Sequence, residues 1–120
     1  MKAPEPDDAV ATKHRNEVVL QGRLAAAAER RELPSGDQLL SFRIIVDRER
    51  DRTDVPRRVD TIDCVAWSAR TQRSVRGWAA GDLVSVEGAV RRRFRRSDQG
   101  PLSRVEVEVR RARRLHHASS

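Results

Sequence analysis

Gly81–Arg96, GDLVSVEGAVRRRFRR, is the stretch whose pattern decides the fold. A Gly-Asp turn opens it. Val84 and Val86 then alternate with Ser85 and Glu87, the two-residue period of a strand with one buried face. Gly88 interrupts the strand where a bulge or bend would sit. Beyond it lies a basic arm, Arg91, Arg92, Arg93, Phe94, Arg95 and Arg96. One strand thus passes from an apolar core to a cationic surface that carries an aromatic ring. Phosphates and unpaired bases are bound by that combination of charge and ring. A solvated arginine run without a ligand is the plain alternative.

The flanking segments repeat the strand pattern. Downstream, Ser97–Pro101 (SDQGP) reads as a hairpin turn, and Ser103–Arg110 alternates strictly, with Val105, Val107 and Val109 inward and Arg104, Glu106 and Glu108 outward. Upstream, Asn16–Leu24 places Val18, Leu20 and Leu24 on one face. Leu39–Asp47 directs Leu40, Phe42, Ile44 and Val46 one way and Ser41, Arg43, Ile45 and Asp47 the other. Val59–Ser68 makes an apolar face of Ile62, Cys64 and Ala66, opposite Thr61, Asp63, Val65 and Trp67. Ser68 can cap a short helix over residues 69–80, with Val75, Trp78 and Ala79 at helical spacing and Gly81 as its stop. The AAAAERRE segment precedes the turn Leu33-Pro34-Ser35-Gly36 and reads as an extended or irregular loop. Residues 1–14 are polar, carry two prolines and show no period, as a disordered arm does. Arg48–Arg58 is charged at almost every position and reads as a mobile loop. Residues 116–120 read as a short flexible end.

Three strands, a helix and two strands are the order of an all-β fold, a five-stranded Greek-key OB barrel with one short helix between the third and fourth strands. The 120 residues suffice for one domain that buries about 65% of its unfolded surface. One cysteine, Cys64, permits no internal disulfide. The N-terminus lacks the apolar stretch of a signal peptide, and no apolar run nears the roughly 18 residues of a membrane span. The expectation is a cytoplasmic, nucleoid-associated protein with no membrane, cofactor or small-molecule partner.

The formal charge is +7, and it is uneven. Between Leu83 and Leu115 there are ten arginines against Glu87, Asp98, Glu106 and Glu108, so nearly all the excess lies in the last third. That asymmetry points to a polyanion, and to nucleic acid before a membrane surface, because no basic amphipathic helix is visible. Arginine richness can also reflect coding bias, so the placement of the arginines says more than their number.

Several segments resemble the bacterial single-stranded DNA-binding proteins: N-E-V-V-L-Q-G-R-L, L-P-S-G, S-F-R-I-I-V, D-C-V-A-W and G-D-L-V-S-V-E-G. Their order and spacing match from about Asn16 to Leu115. The resemblance implies an OB subunit that wraps single-stranded DNA, with a homotetramer favoured over a dimer. It places an aromatic stacking position on Trp67 and an asparagine of the first strand on Arg23. It places basic positions on Arg31, Arg91 and Arg93. Departures from the family pattern are Thr61, Arg50 and Arg95, which stand where the family often has tryptophans. The family also commonly ends in a flexible tail with an acidic tip, whereas RARRLHHASS carries none.

From the residues themselves, the strand period puts Trp67 outside a barrel lined by Ile62, Cys64 and Ala66, which suits base stacking; a contact with a helix or subunit is the alternative. Phe94 shares the parity of Val84 and Val86, so an unbroken strand turns it inward and a bulge at Gly88 turns it out. Arg43 and Arg95 complete the set of candidate phosphate contacts with Arg23, Arg31, Arg91 and Arg93. Trp78 reads as core, and Cys64 as a small buried apolar residue. His116 and His117 lack metal-ligand spacing. The short apolar first strand, Val18, Val19 and Leu20, has an edge to cover and predicts an oligomer formed partly through it. An enzyme would need clustered carboxylates or a base beside a nucleophile, and no such constellation is present. Two functions therefore compete. One is largely sequence-independent, non-catalytic binding and protection of single-stranded DNA in replication, repair or recombination. The other is an OB interaction module that binds RNA or a protein partner through its basic face.

Overall fold

A computed structural model describes residues 13–49 and 58–118, apart from the side chains of 95–97. The expected arm at residues 1–14 and the charged loop, including Arg50, therefore lie largely outside the described residues. Six strands and one helix follow in the order β1 (Val18–Leu24), β2 (Glu29–Glu32), β3 (Gln38–Asp47), β4 (Val59–Ala66), α1 (Ala69–Arg76), β5 (Leu83–Ser97) and β6 (Gly100–His116).

The sheet runs β1-β5-β6-β4-β3-β2, and β1 also pairs with β3, so five strands close into a ring. β3 pairs with β4 along almost its whole length. Its other edge takes β2 near its start and the end of β1 at Ile44 and Ile45. β4 and β6 run parallel; every other pairing is antiparallel. This is an OB fold, with the helix at the place the strand pattern gave it.

Alternation explains the core. Leu24, Phe42, Ile44, Cys64, Ala66, Val84, Val86, Val107 and Val109 fill the ring, and Val75 and Trp78 close one end. Trp78 meets Phe42 edge-on, with ring centroids 5.8 Å apart. Gly22 and Gly88 admit close backbone crossings: a Cβ at Gly88 would lie 1.9 Å from the carbonyl oxygen of Glu108.

Four expectations need correction. Residues 29–32 form a strand, although all four are exposed. They are held by main-chain pairing to β3 rather than by burial. The helix is capped by Ser68, whose hydroxyl accepts from Thr71 N–H at 3.1 Å, but it ends at Gly77 and not Gly81. Gly81 instead adopts φ +88° in the turn before β5. β5 runs through the basic arm and turns within Ser97–Pro101 as expected, with Gly100 at φ +108°, but β6 starts at Gly100 and is far longer than the valine pattern of Ser103–Arg110. β6 itself continues to His116, and the Ala118 N–H donates to Asp82 Oδ1 at 2.7 Å.

The bulge lies beside Gly88, as its position suggested, but the extra residue is on the partner strand. Glu87 faces Arg111 and Gly88 faces Val109, so Arg110 is the inserted residue. β5 therefore keeps one parity from Val84 to Phe94.

Candidate nucleic-acid interface

The outer surface of the ring is built by the residues that alternate with the core. β3 contributes Ser41 and Arg43, β4 contributes Asp63 and Val65, β6 contributes Arg104, Glu106 and Glu108, and β5 contributes Ala89, Arg91 and Arg93. Trp67 follows β4 with the same parity. Leu39, Val65 and Ala89 are buried yet do not belong to the central core, so they form an apolar floor on this side.

Trp67 is half-buried on this face and is not the open ring that the strand period suggests. The Arg93 guanidinium lies 4.9 Å from its ring centroid, a cation–π contact. The indole Nε1–H is enclosed and reaches no acceptor among the described residues. The Trp67 backbone is fixed from below, because Gln72 Nε2 donates to its carbonyl at 2.9 Å and to that of Gln38 at 3.0 Å.

The arginines of this face are paired with carboxylates. Arg43 Nε lies 3.0 Å and Arg104 3.1 Å from the two oxygens of Asp63. Arg91 Nε donates to Glu108 at 2.8 Å, and Arg93 Nε donates to Glu106. Glu106 is buried under that contact although its strand parity is outward. Four arginines against three carboxylates leave one net positive charge on the face.

The remaining candidates are placed as follows. Arg31, on β2, lines a cleft of about 240 Å³ with Arg43, Asp63 and Arg104, roofed by Ala25–Ala27. Arg23 sits where β1 closes on β3, opposite Ile45, and engages Asp47 at 3.7 Å. Phe94 is 75% exposed and is not core. Its parity is still that of Val84 and Val86, but neither β1 nor β4 flanks the hairpin there, so its inner face meets solvent. It points away from the side that carries Arg91 and Arg93. The Arg95 side chain lies outside the described set.

Other reactive groups are occupied structurally. Burial and the neighbouring charges of Asp63 and Glu106 push the Cys64 thiol up to about 12, so it stays protonated. Among the described residues, no three His, Cys, Asp or Glu side chains are grouped to hold a metal. No described helix is long and apolar enough to cross a membrane.

With this geometry in hand, comparison with known proteins gives a consistent answer. The model of the single-strand binding protein family matches residues 15–115. The chain belongs to that family. It is 34% identical over 86 residues to Single-stranded DNA-binding protein 1 of Streptococcus agalactiae serotype III (strain NEM316), covering 71% of this chain and 52% of that protein. It is 29% identical over 85 residues to Single-stranded DNA-binding protein 1 of Lactococcus lactis subsp. lactis (strain IL1403), covering 71% and 57% respectively. The match thus takes in about half the length of these curated relatives. Among solved structures, the fold resembles a chain of the Plasmodium falciparum SSB complex with ssDNA, with TM-score 0.72, 20% identity, and coverage of 86% of this chain and 96% of that one.

In this member of the single-strand binding protein family, the strand pattern missed two of the carboxylates. Glu106 and Glu108 are read from sequence only as outward acids, and Asp63 as an acid able to set polarity or pair with an arginine; all three hold arginines in place. Arg104 was also missed as part of the face. The signal for it was available, since it alternates with Val105 on the most regular strand.

Proposed function

We propose that this chain binds single-stranded DNA without catalysis and largely without regard to sequence, on the outer face that carries Trp67. The observation that supports this reading is the Trp67–Arg93 stack set among Arg43, Arg91 and Arg104 on the surface of a family-matched OB barrel. Base–aromatic stacking, for which this family is itself a standard example, contributes about 1–3 kcal/mol per base. A base entering the covered side of the indole displaces the Arg93 guanidinium, which then meets an adjacent phosphate. The carboxylate partners keep the arginines extended and oriented in the absence of DNA, and phosphates replace them on binding.

The proposal extends to assembly. β1 pairs with β5 along Val18–Arg23 but with β3 only at Arg23 and Leu24. Among the described residues its edge along Val18–Gln21 is therefore open, and Val19 is 68% exposed. An open strand edge is a template for pairing, and a homo-oligomer, a tetramer or a dimer, formed partly through β1 covers it.

The test is Trp67→Ala measured against a single-stranded oligonucleotide over a range of salt. A stacked ring releases no counterions, so affinity drops by about one to two decades while the salt slope stays constant. Unchanged affinity in a folded variant refutes the stacking role.

A further inference from the structure

The outer face does not end at Trp67. The parallel pairing ends with Ala66 opposite Val109, and Trp67 and Arg110 are the residues that follow them in the chain. Arg110 is also the inserted residue of the β6 bulge. A bulge re-aims the side chains beyond it. Before it Val107 and Val109 point inward; after it Ala112 packs on the core and Arg111 and Arg113 point out. An uninterrupted strand would have driven Arg111 and Arg113 into the barrel. The bulge thus places Arg110, Arg111 and Arg113 on one outer surface.

Together with Arg70, Thr71 and Ser74 of α1 and Ser85 and Glu87 of β5, these arginines line a groove of about 530 Å³. Its charge differs in kind from that of the Trp67 face. Among the described residues Arg70, Arg110 and Arg113 have no carboxylate partner, and Arg111 reaches Glu87 only at 3.9 Å. The sole apolar side chain in the lining is Ala112. A groove with free guanidinium forks and hydroxyls, without an aromatic ring or an apolar pocket, matches phosphodiester oxygens rather than bases. It equally lacks an anchor for the apolar side chains of a peptide.

We infer that the groove between α1 and the bulged half of β6 is a second binding site for the phosphate backbone of the same single strand, which it takes up as the strand leaves Trp67. The inference rests on the reading of the Trp67 face given above. Bases are gripped at one end of the surface, where every arginine is paired with a carboxylate, and the backbone is held at the other, where three of the four arginines are not.

The test pairs Arg110→Ala/Arg113→Ala with two oligo(dT) probes: one of about 8 nucleotides, within the span of one OB domain, and one of about 30. Both arginines are exposed, so the variant melts with the parent. The short probe binds parent and variant alike. The long probe binds the variant more weakly, with a salt slope smaller by about 1.4, which is roughly 25-fold between about 0.1 and 1 M salt. Arg70→Ala, on the helix wall, lowers the slope by about 0.7 independently of β6. If both probes bind parent and variant equally, the inference is overturned and the Trp67 reading stands. If neither probe binds the parent, the Trp67 reading fails and the inference falls with it. If octaglutamate binds the parent but not the variant while the long probe is indifferent, the groove serves an acidic protein segment and the inference is again overturned.

Discussion

Replacing Glu108 by glutamine removes one of the three carboxylates on the Trp67 face and should strengthen single-stranded DNA binding. Glu108 accepts from Arg91 Nε at 2.8 Å and lies 4.0 Å from an Arg93 nitrogen. A phosphate that meets Arg91 must replace this carboxylate and then rest about 6 Å from it. Two like charges at that distance repel by about 0.7 kcal/mol in water and about 2.8 kcal/mol at an effective dielectric of about 20. The Glu108 side chain is 29% exposed and Arg91 45%, so the value lies toward the lower end, and salt screens it further. A gain of about 0.7–1.5 kcal/mol follows, or roughly 3- to 12-fold in affinity. One additional free cation steepens the salt slope by up to about 0.7. Loss of a partly exposed ion pair costs about 1 kcal/mol of stability or less, so the fold persists. Anisotropy titrations of a labelled oligo(dT) at several salt concentrations, with a melting curve on the same sample, provide the readout. Affinity and slope equal to or below the parent's in a folded variant would refute the view that the carboxylates hold the place of phosphates.

Three further predictions follow from single contacts. Gly88→Ala forces a Cβ against the Glu108 carbonyl and should cost about 1–3 kcal/mol, with the melting point falling by about 4–8 °C for each kcal/mol; Gly77→Ala, with open space around it, is the control and should melt with the parent. The Asp82 carboxyl is held below its ordinary value of 3.8 by the backbone N–H of Ala79 first, then that of Ala118, and by Arg114. Its contribution is therefore complete above 3.8 and is lost as pH falls from there through the folded-state value, so Asp82→Asn should melt lower at neutral pH and lose less on acidification than the parent. Arg93→Ala uncovers the Trp67 ring and removes one phosphate contact, so intrinsic fluorescence of the free protein should change and the salt slope fall by about 0.7 or less; an unchanged slope would exclude Arg93 from the phosphate path.

The legible parts of the fold were those with a buried face. Leu40, Phe42 and Ile44, then Ile62, Cys64 and Ala66, then Val84 and Val86 carry a two-residue period because one side of each strand fills the ring. β2 carried no such signal, since Glu29–Glu32 buries nothing and exists through its pairing with β3. In the outer half of the hairpin the strands and the turn were legible but their exposure was not: Val105 sits at an inward parity yet is 51% exposed, because the strands there have left the barrel. Phe94 shows the same limit, with its parity readable and its burial not. On the proposed binding face, the side of Trp67 followed from alternation, but its cover did not. Arg93 lies far away in sequence and reaches the indole only because β6 brings β5 beside β4. Pairings between Arg43 and Asp63, or Arg93 and Glu106, are long-range consequences of register and left no local trace. The bulge at Arg110 was foreshadowed by Gly88, although which strand carried the extra residue was not.

The most direct test of the Trp67 face is a tryptophan-fluorescence titration with oligo(dT) and with duplex DNA of equal length. The protein has two tryptophans; Trp78 is buried in the core and supplies a constant background, while Trp67 lies on the proposed binding face. Single-stranded DNA should quench part of the emission, duplex should not, and the quench should vanish in Trp67→Ala. Equal binding of duplex and single strand, or saturation by oligo(dT) with no quench, would contradict the account.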